Sequence, residues 1–365
     1  MTHPTASSEF SPDLKLRIHE PLNMEAAFLN APTALTANEQ FFIRGHFPVP
    51  KIDSATWRLE VGGSVDHPLS LSLADLKAMS SATQVSVLEC AGNGRLFLPN
   101  IPEGVQWGLG AVGCATWCGV PLRDVLERAG LKPEALELVF EGADHGFPEK
   151  QHKPKNEIHY SRSMPLADAS QPEVLLAWHM NGNELSAEHG APVRLIVPGW
   201  YSMASVKWLT KITAIARPFL GYFQTVEYTY WTHSDSLQPE RTPITEIFLK
   251  SQIAHPVMHQ QLRAGEVCTV RGAAWSCGSA IERVEVSTDK GVTWHHAEFD
   301  ESLDSAERSY AWRLWHWNWK PATIGNTTLM SRAHDVAGNV QPAQHNEDYE
   351  SYIIHHTMRI PVEVI

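Results

Sequence analysis

The sequence predicts an α+β chain: an irregular arm over residues 1–35, a mixed α/β unit over 36–240 and an all-β unit over 241–365. Three observations lead there. Up to about residue 230, apolar strand patterns alternate with short helical ones. A polar, proline-bearing run, Gln238-Pro239-Glu240-Arg241-Thr242-Pro243, then interrupts the chain, and beyond it only short strands and turn residues recur. At 365 residues each unit can bury a core of its own.

Thr2 to about Leu35 is rich in Pro, Ser, Asn and Thr and reads as the arm. Phe41-Phe42-Ile43-Arg44-Gly45-His46 reads as a short strand; Arg44 and His46 lie two apart and so share a face, which on its own describes an edge strand with a solvated arginine. Trp57 to Val61 alternates as a strand, and Leu73 to Met79 reads as a short helix before a central strand at Val85. Pro121 opens a helix with Leu122, Val125, Leu126 and Ala129 on one side, and Gly130 ends it. Leu136 to Glu141 is a strand leading into Gly-Ala-Asp144-His-Gly, and Val174 to Met180 is another, closed by Asn181-Gly182. In the last unit Val267 to Val270, Ile281 to Ser287 and Val292 to Phe299 read as strands, with a hairpin at Asp289-Lys290-Gly291. Trp315, Trp317 and Trp319 recur every second residue, which puts three indoles on one face, as a sheet core or a subunit contact.

Composition narrows the function. Hydrophobic content of 43% and charged content of 19% suit a globular protein, and no apolar run approaches the roughly 18 residues that cross a bilayer, so no membrane partner is expected. Met1 to Ser11 carries no basic and apolar leader and no twin arginine; a cytoplasmic address is expected, or a periplasmic one if a signal has been removed. A formal charge of −12 argues against nucleic acid and requires a local positive pocket for any anionic substrate. Five cysteines are too few and too scattered for a disulfide framework, and Cys114 and Cys118 read as core thiols.

One stretch carries chemistry: Val87-Leu-Glu-Cys90-Ala-Gly-Asn-Gly-Arg95-Leu-Phe-Leu98. Cys90 ends a strand, and Gly92, Asn93 and Gly94 form a tight loop before Arg95, whose charge favours a thiolate below the usual value of about 8.5. The residues leave two readings, a presented nucleophile or soft-metal ligand and a buried core cysteine. The dinucleotide glycine fingerprint, the Walker loop, His-Glu-x-x-His and the haem-attachment Cys-x-x-Cys-His are all absent from the sequence.

Cys-Ala-Gly-Asn followed by an arginine resembles the signature of the sulfite oxidase family. Further segments match it in order, among them Phe41–His46, Glu188–Gly199, which resembles Asp-His-Gly-Phe-Pro-Val-Arg, and Ser205-Val206-Lys207-Trp208-Leu209. The resemblance implies a sulfite-oxidase-type mixed α/β molybdopterin domain followed by an immunoglobulin-like sandwich that forms a homodimer. It implies one molybdenum per chain, bound by Cys90 and carried by molybdopterin, without haem. Phe42, Ile43, Arg44, Gly45, His46, Asp144, His189, Arg194, Ser205, Val206 and Lys207 would hold the cofactor, and Arg44, Arg95, Trp107 and Tyr228 would act on the substrate. Sulfite would become sulfate, with electrons passing to an external acceptor such as a c-type cytochrome. The departures are Gly45 for an asparagine, Gly94 for the first arginine of Cys-Ala-Gly-Asn-Arg-Arg, and His355-His356 near the place of an arginine that the last domain lays over the substrate. These keep another sulfur compound, such as sulfane sulfur, or nitrate in view as substrate. Outside the family, a cofactor-free thiol enzyme and a non-catalytic binding protein are the other readings.

Overall fold

The strand that carries the cysteine loop, Ala82–Glu89, lies at one end of a five-stranded antiparallel sheet in the computed structural model, which describes residues 14–28, 34–148, 154–233, 238–300 and 309–365. Next to it run Val112–Pro121 and Leu175–Met180, and the latter pairs with both Asn183–Glu184 and Arg194–Ile196. A second five-stranded sheet runs in the order Leu69–Leu71, Leu59–Gly63, Leu209–Ile215, Glu137–Gly146, Ile158–Pro165, and its pairing of Leu59–Gly63 with Leu209–Ile215 is parallel. Helices are short: Leu73–Lys77, Leu122–Ala129, Leu166–Ala169 and Tyr222–Thr225 among the described residues, so the chain is mostly β. Leu122–Ala129 forms where its spacing predicts. Leu122, Val125, Leu126 and Ala129 are all buried, at about 1.5–3 kcal/mol for each large apolar side chain removed from water.

Period-two alternation positions the site. In Glu137–Gly146 it buries Leu138 and Phe140 and, continuing, aims Asp144 inward; in Ile158–Pro165 it buries Tyr160, Arg162 and Met164.

After residue 240, Lys250–His255, Cys268–Trp275, Arg313–Trp319 and Glu298–Phe299 make a four-stranded sheet. Gln261–Leu262, Ile360–Val364, Gly325–Asp335, Ile281–Ser287 and His295–His296 make a five-stranded one. The two share a core of Val270, Trp315, Val284, Val286, Leu329 and Ala333. Trp315 is fully buried there, and Trp317 and Trp319 pack on the same cluster. Leu98, Ile354 and Met358 join that core, so the cysteine loop is packed against the second unit.

Two expectations need correcting. The described part of the arm is not irregular: Lys15–Ile18 and Asn23–Glu25 form a three-stranded sheet with Ile43–Arg44. What orders it lies far along the chain, because the Glu25 carboxylate accepts from Arg17 Nε at 2.5 Å, from Gly108 N at 2.6 Å and from Gly110 N at 2.9 Å. Met1 to Ser11 lies outside the described residues. The polar run at 238–243 is itself a strand in part, since Glu240–Pro243 pairs with Thr229–Thr232. The strand expected over Val292 to Phe299 is two, His295–His296 and Glu298–Phe299, which join different sheets. No helix among the described residues is long and apolar enough to cross a membrane.

Candidate functional site

Cys90 sits one residue past the end of Ala82–Glu89, and its loop is fixed by backbone bonds: Cys90 N to Ala111 O at 2.9 Å, Asn93 N to Cys90 O at 2.9 Å and Gly94 N to Gly108 O at 2.7 Å. Two glycines shape this loop, the first by leaving room for the Arg95 guanidinium and the second by its backbone. A Cβ at Gly92 would lie 2.4 Å from Arg95 Nη2, and Gly94 has φ +98° with Ile354 Cγ2 3.1 Å from where its Cβ would be. The positive φ favours glycine at position 94, and the Ile354 contact adds to it. Gly94→Ala is expected to destabilise the fold by about 1–3 kcal/mol, read as a lower denaturant midpoint, because it adds both strain and a clash.

The sulfur lies where two cavities meet, lined in common by Arg44, His46, Cys90 and Tyr228. Burial pushes the Cys90 thiol up; Arg44 opposes this most, then the Gly92 amide, and Arg95 less. Arg95 is therefore not the main charge acting on the thiol, as its nearness in sequence suggests.

The first cavity also contains Phe42, Asp144, Tyr160, His189, Arg194, Ser205 and Lys207. It gathers buried cations in an acidic chain. The Arg194 guanidinium is held by the carbonyls of His189 at 3.0 Å and Ser205 at 3.1 Å, 5.0 Å from the Trp117 ring. Burial lowers it to about 9. Lys207 donates to Glu188 O at 2.8 Å, and burial together with Arg194 pulls its ammonium down, while burial pushes its neighbour Asp144 up. His189 is lowered to about 3 by burial, Arg194 and Lys207, so it is neutral, and its Nε2–H donates to Asn38 O at 3.2 Å. Arg194 Nε and Asp144 Oδ1 are buried with no hydrogen-bond partner among the described residues. Buried polar atoms left so, beside several cations, fit a polar, anionic ligand.

Three residues expected to touch a cofactor turn elsewhere. Ile43 alternates away from Arg44 into a cluster with Leu14, Met24 and Ala26. Gly45 offers its carbonyl to Arg44 and Asn23. Val206 packs in the main core, and its amide donates to Ala204 O at 3.0 Å.

The second cavity brings Arg95, Trp107, Glu227 and Tyr352 to the shared group. All four residues expected to act on a substrate, Arg44, Arg95, Trp107 and Tyr228, line it together with Cys90. Tyr228, at φ +57°, places its hydroxyl 2.6 Å from His46 Nε2, and burial raises its phenol, with Arg44 opposing, so that it stays neutral. Arg44 stays charged: burial disfavours the cation, but the acidic groups around it, the Glu227 carboxylate among them, hold the guanidinium above its ordinary value. Arg95 is tied by Nε to Ser351 O at 3.1 Å and by Nη1 to Val105 O at 2.9 Å.

Sequence reasoning missed Tyr352. It comes from a strap, residues 351–358, that lies on the cysteine loop through Ile353 N to Ala91 O at 2.8 Å and through Ser351. Its ring stands 5.2 Å from that of Tyr228 and 5.2 Å from the Arg95 guanidinium. Tyr352, not His355, is the strap's side chain in the cavity. His355 turns to Phe248, 4.9 Å between rings, and His356 to His345. Tyr160 was missed as well, although its place in a buried period-two row was a usable signal.

His356 is lowered to about 4, by burial first and then by His345 and Lys250. The unfolded chain, with a reference value near about 6.5, binds the proton first, so this contribution to stability is complete above that pH and declines as pH falls toward the folded value. The drop in melting temperature between neutral pH and the folded value is expected to be smaller in His356→Phe than in the parent; equal drops would count against this assignment.

Two family models match: an oxidoreductase molybdopterin binding domain over residues 46–223 and a Mo-co oxidoreductase dimerisation domain over 241–363. The mitochondrial sulfite oxidase of Mus musculus is 36% identical over 345 residues, 91% of this chain and 62% of that protein, so the chain spans about three-fifths of such relatives. Sulfite oxidase of Arabidopsis thaliana is 32% identical over 91% of this chain and 88% of its own length. Among solved structures, the sulfane dehydrogenase SoxCD from Paracoccus pantotrophus superposes with a TM-score of 0.80 at 26% identity, covering 96% of this chain and 86% of that one.

Proposed function

Because the chain belongs to the sulfite oxidase family of molybdopterin-binding oxidoreductases, we propose that it oxidises sulfite to sulfate with a molybdenum cofactor held at Cys90. The observation that carries this reading is the meeting of two cavities at one sulfur, one cation-rich with orphaned polar atoms, the other lined by Arg44, Trp107 and Tyr228. Arg194, Lys207, His189 and Asp144 would hold the pterin and its phosphate, and Cys90 would bind the metal. When bound, that group supplies a transferable oxo ligand and a two-electron sink.

The protein's own part is placement and charge. Arg44 is the buried cation that receives the anion; Trp107 walls it in, and Tyr228 donates a hydrogen bond from a neutral phenol. The balance is sulfite plus water giving sulfate, two protons and two electrons. The His46–Tyr228 contact offers a first step for a proton, and an external one-electron acceptor such as a c-type cytochrome would take the electrons. We read the two C-terminal sheets as an immunoglobulin-like sandwich that pairs two copies of the chain.

A second substrate class, sulfane sulfur, is favoured by Tyr352, which brings a neutral ring to the cavity. Metal and pterin analysis of purified protein is expected to find one of each per chain, and sulfite is expected to reduce ferricyanide or cytochrome c. Thiosulfate and nitrate, assayed on the same preparation, separate the substrates. Protein free of molybdenum that still turns over would overturn the proposal.

A further inference from the structure

Directly before Cys90 lies Glu89, a carboxylate 2% exposed that the chemistry above does not use. It is fully engaged. Oε1 accepts from Lys250 Nζ at 2.7 Å and from Asn93 Nδ2 at 3.0 Å, and Oε2 accepts from Trp275 Nε1 at 2.8 Å. Lys250 is also 2% exposed and stands on Lys250–His255, paired across to Trp275 on Cys268–Trp275 in the second unit. Asn93 passes the connection on, since its Oδ1 accepts from Ala111 N at 3.2 Å, next to the Ala111 carbonyl that receives Cys90 N. One carboxylate thus joins the cysteine strand, the turn that follows it and two strands of the other unit.

We infer that the Glu89–Lys250 pair is a positioning device that sets the orientation of the Cys90 sulfur toward the cofactor from across the boundary between the units. The inference rests on the metal reading of Cys90 given above. Neither side chain lines either cavity at that sulfur, so the pair acts through Asn93 and the backbone on both sides of Cys90. Both charges are out of water. Removing one leaves the other buried without its partner, and the loop must shift to let water reach it; removing both relieves that demand but leaves the loop without its tie. Three donors converge on one carboxylate, a geometry that fixes its position where a lone ion pair would not.

The test uses the full chain as parent, Lys250→Met, Glu89→Gln and the double variant, compared at equal molybdenum content. Lys250→Met is expected to lower kcat per molybdenum roughly 10- to 100-fold with KM within about twofold, as for removal of a group that orients a metal ligand. Its Mo(V) electron paramagnetic resonance spectrum is expected to show altered g-values, and the amides of residues 92–94 are expected to exchange hydrogen about tenfold faster. The double variant, with no charge left buried, is expected to fold even if Lys250→Met does not, and to be less impaired than the product of the single changes. A Lys250→Met spectrum and exchange pattern identical to the parent's would overturn the inference, and so would strictly multiplicative effects of the two changes. The exchange measurement reads the loop in metal-free protein too. A parent that binds no molybdenum would therefore defeat the metal reading, while unchanged exchange in the variants would defeat the tie.

Discussion

Cys90→Ser is expected to abolish sulfite turnover while leaving the fold in place. The substitution makes the side chain only slightly smaller and leaves the backbone bonds of the loop, so the melting temperature should move by only a few degrees, roughly the effect of a ΔΔG near 1 kcal/mol. Serine's hydroxyl, however, is a far poorer ligand for a soft, thiolate-preferring site, and it sits where the sulfur joins both cavities. Activity per mole of protein should fall by about 10³-fold or more, equivalent to about 4 kcal/mol of barrier. Turnover within a few-fold of the parent would remove Cys90 from the metal and with it the central claim about this site.

Arg44→Met should have the next largest effect, and on a different parameter. Met preserves much of the stem but deletes the buried cation that faces Cys90 and Tyr228 in both cavities. A charge-assisted hydrogen bond to an anion contributes about 1.5–3 kcal/mol, so kcat/KM should fall roughly 10²-fold, with a raised KM carrying much of it. Arg95 should compensate only in part, because Nε and Nη1 already hold the carbonyls of Ser351 and Val105 and only Nη2 is left for an anion. An unchanged KM for sulfite in Arg44→Met would show that the anion is received elsewhere.

What could be read in the sequence was what local pattern controls. The helix Leu122–Ala129, the Asn181-Gly182 turn and Cys90 at a strand end each follow from residues within a few positions of one another. The arm was not legible, since Lys15–Ile18 and Asn23–Glu25 become ordered through Gly108 and Gly110, more than 80 positions away. Glu89 stood inside the motif first singled out, yet its role depends on Lys250, 161 residues later. The strap misled in another way: counting along it suggested His355, whereas positive φ at Ile353 turns the chain so that Tyr352 enters the cavity. Arg95 lines the second cavity, but its hydrogen bonds to Val105 and Ser351 could not be foreseen from spacing.

The cover over the cysteine loop is also the last part of it to be synthesised. Ser351 follows Arg95 by 256 positions, a lag on the order of tens of seconds at ribosomal speeds of roughly 5–20 residues per second. A pocket floor formed in that interval would lack its roof, and the pterin proposed above would find its widest entry then. A finished chain would have to release the strap 351–358 to accept such a group late. Tyr352→Ala, which thins the roof while keeping Ile360–Val364 in its sheet, should take up cofactor faster than the parent, and equal uptake rates would show that the roof is no barrier.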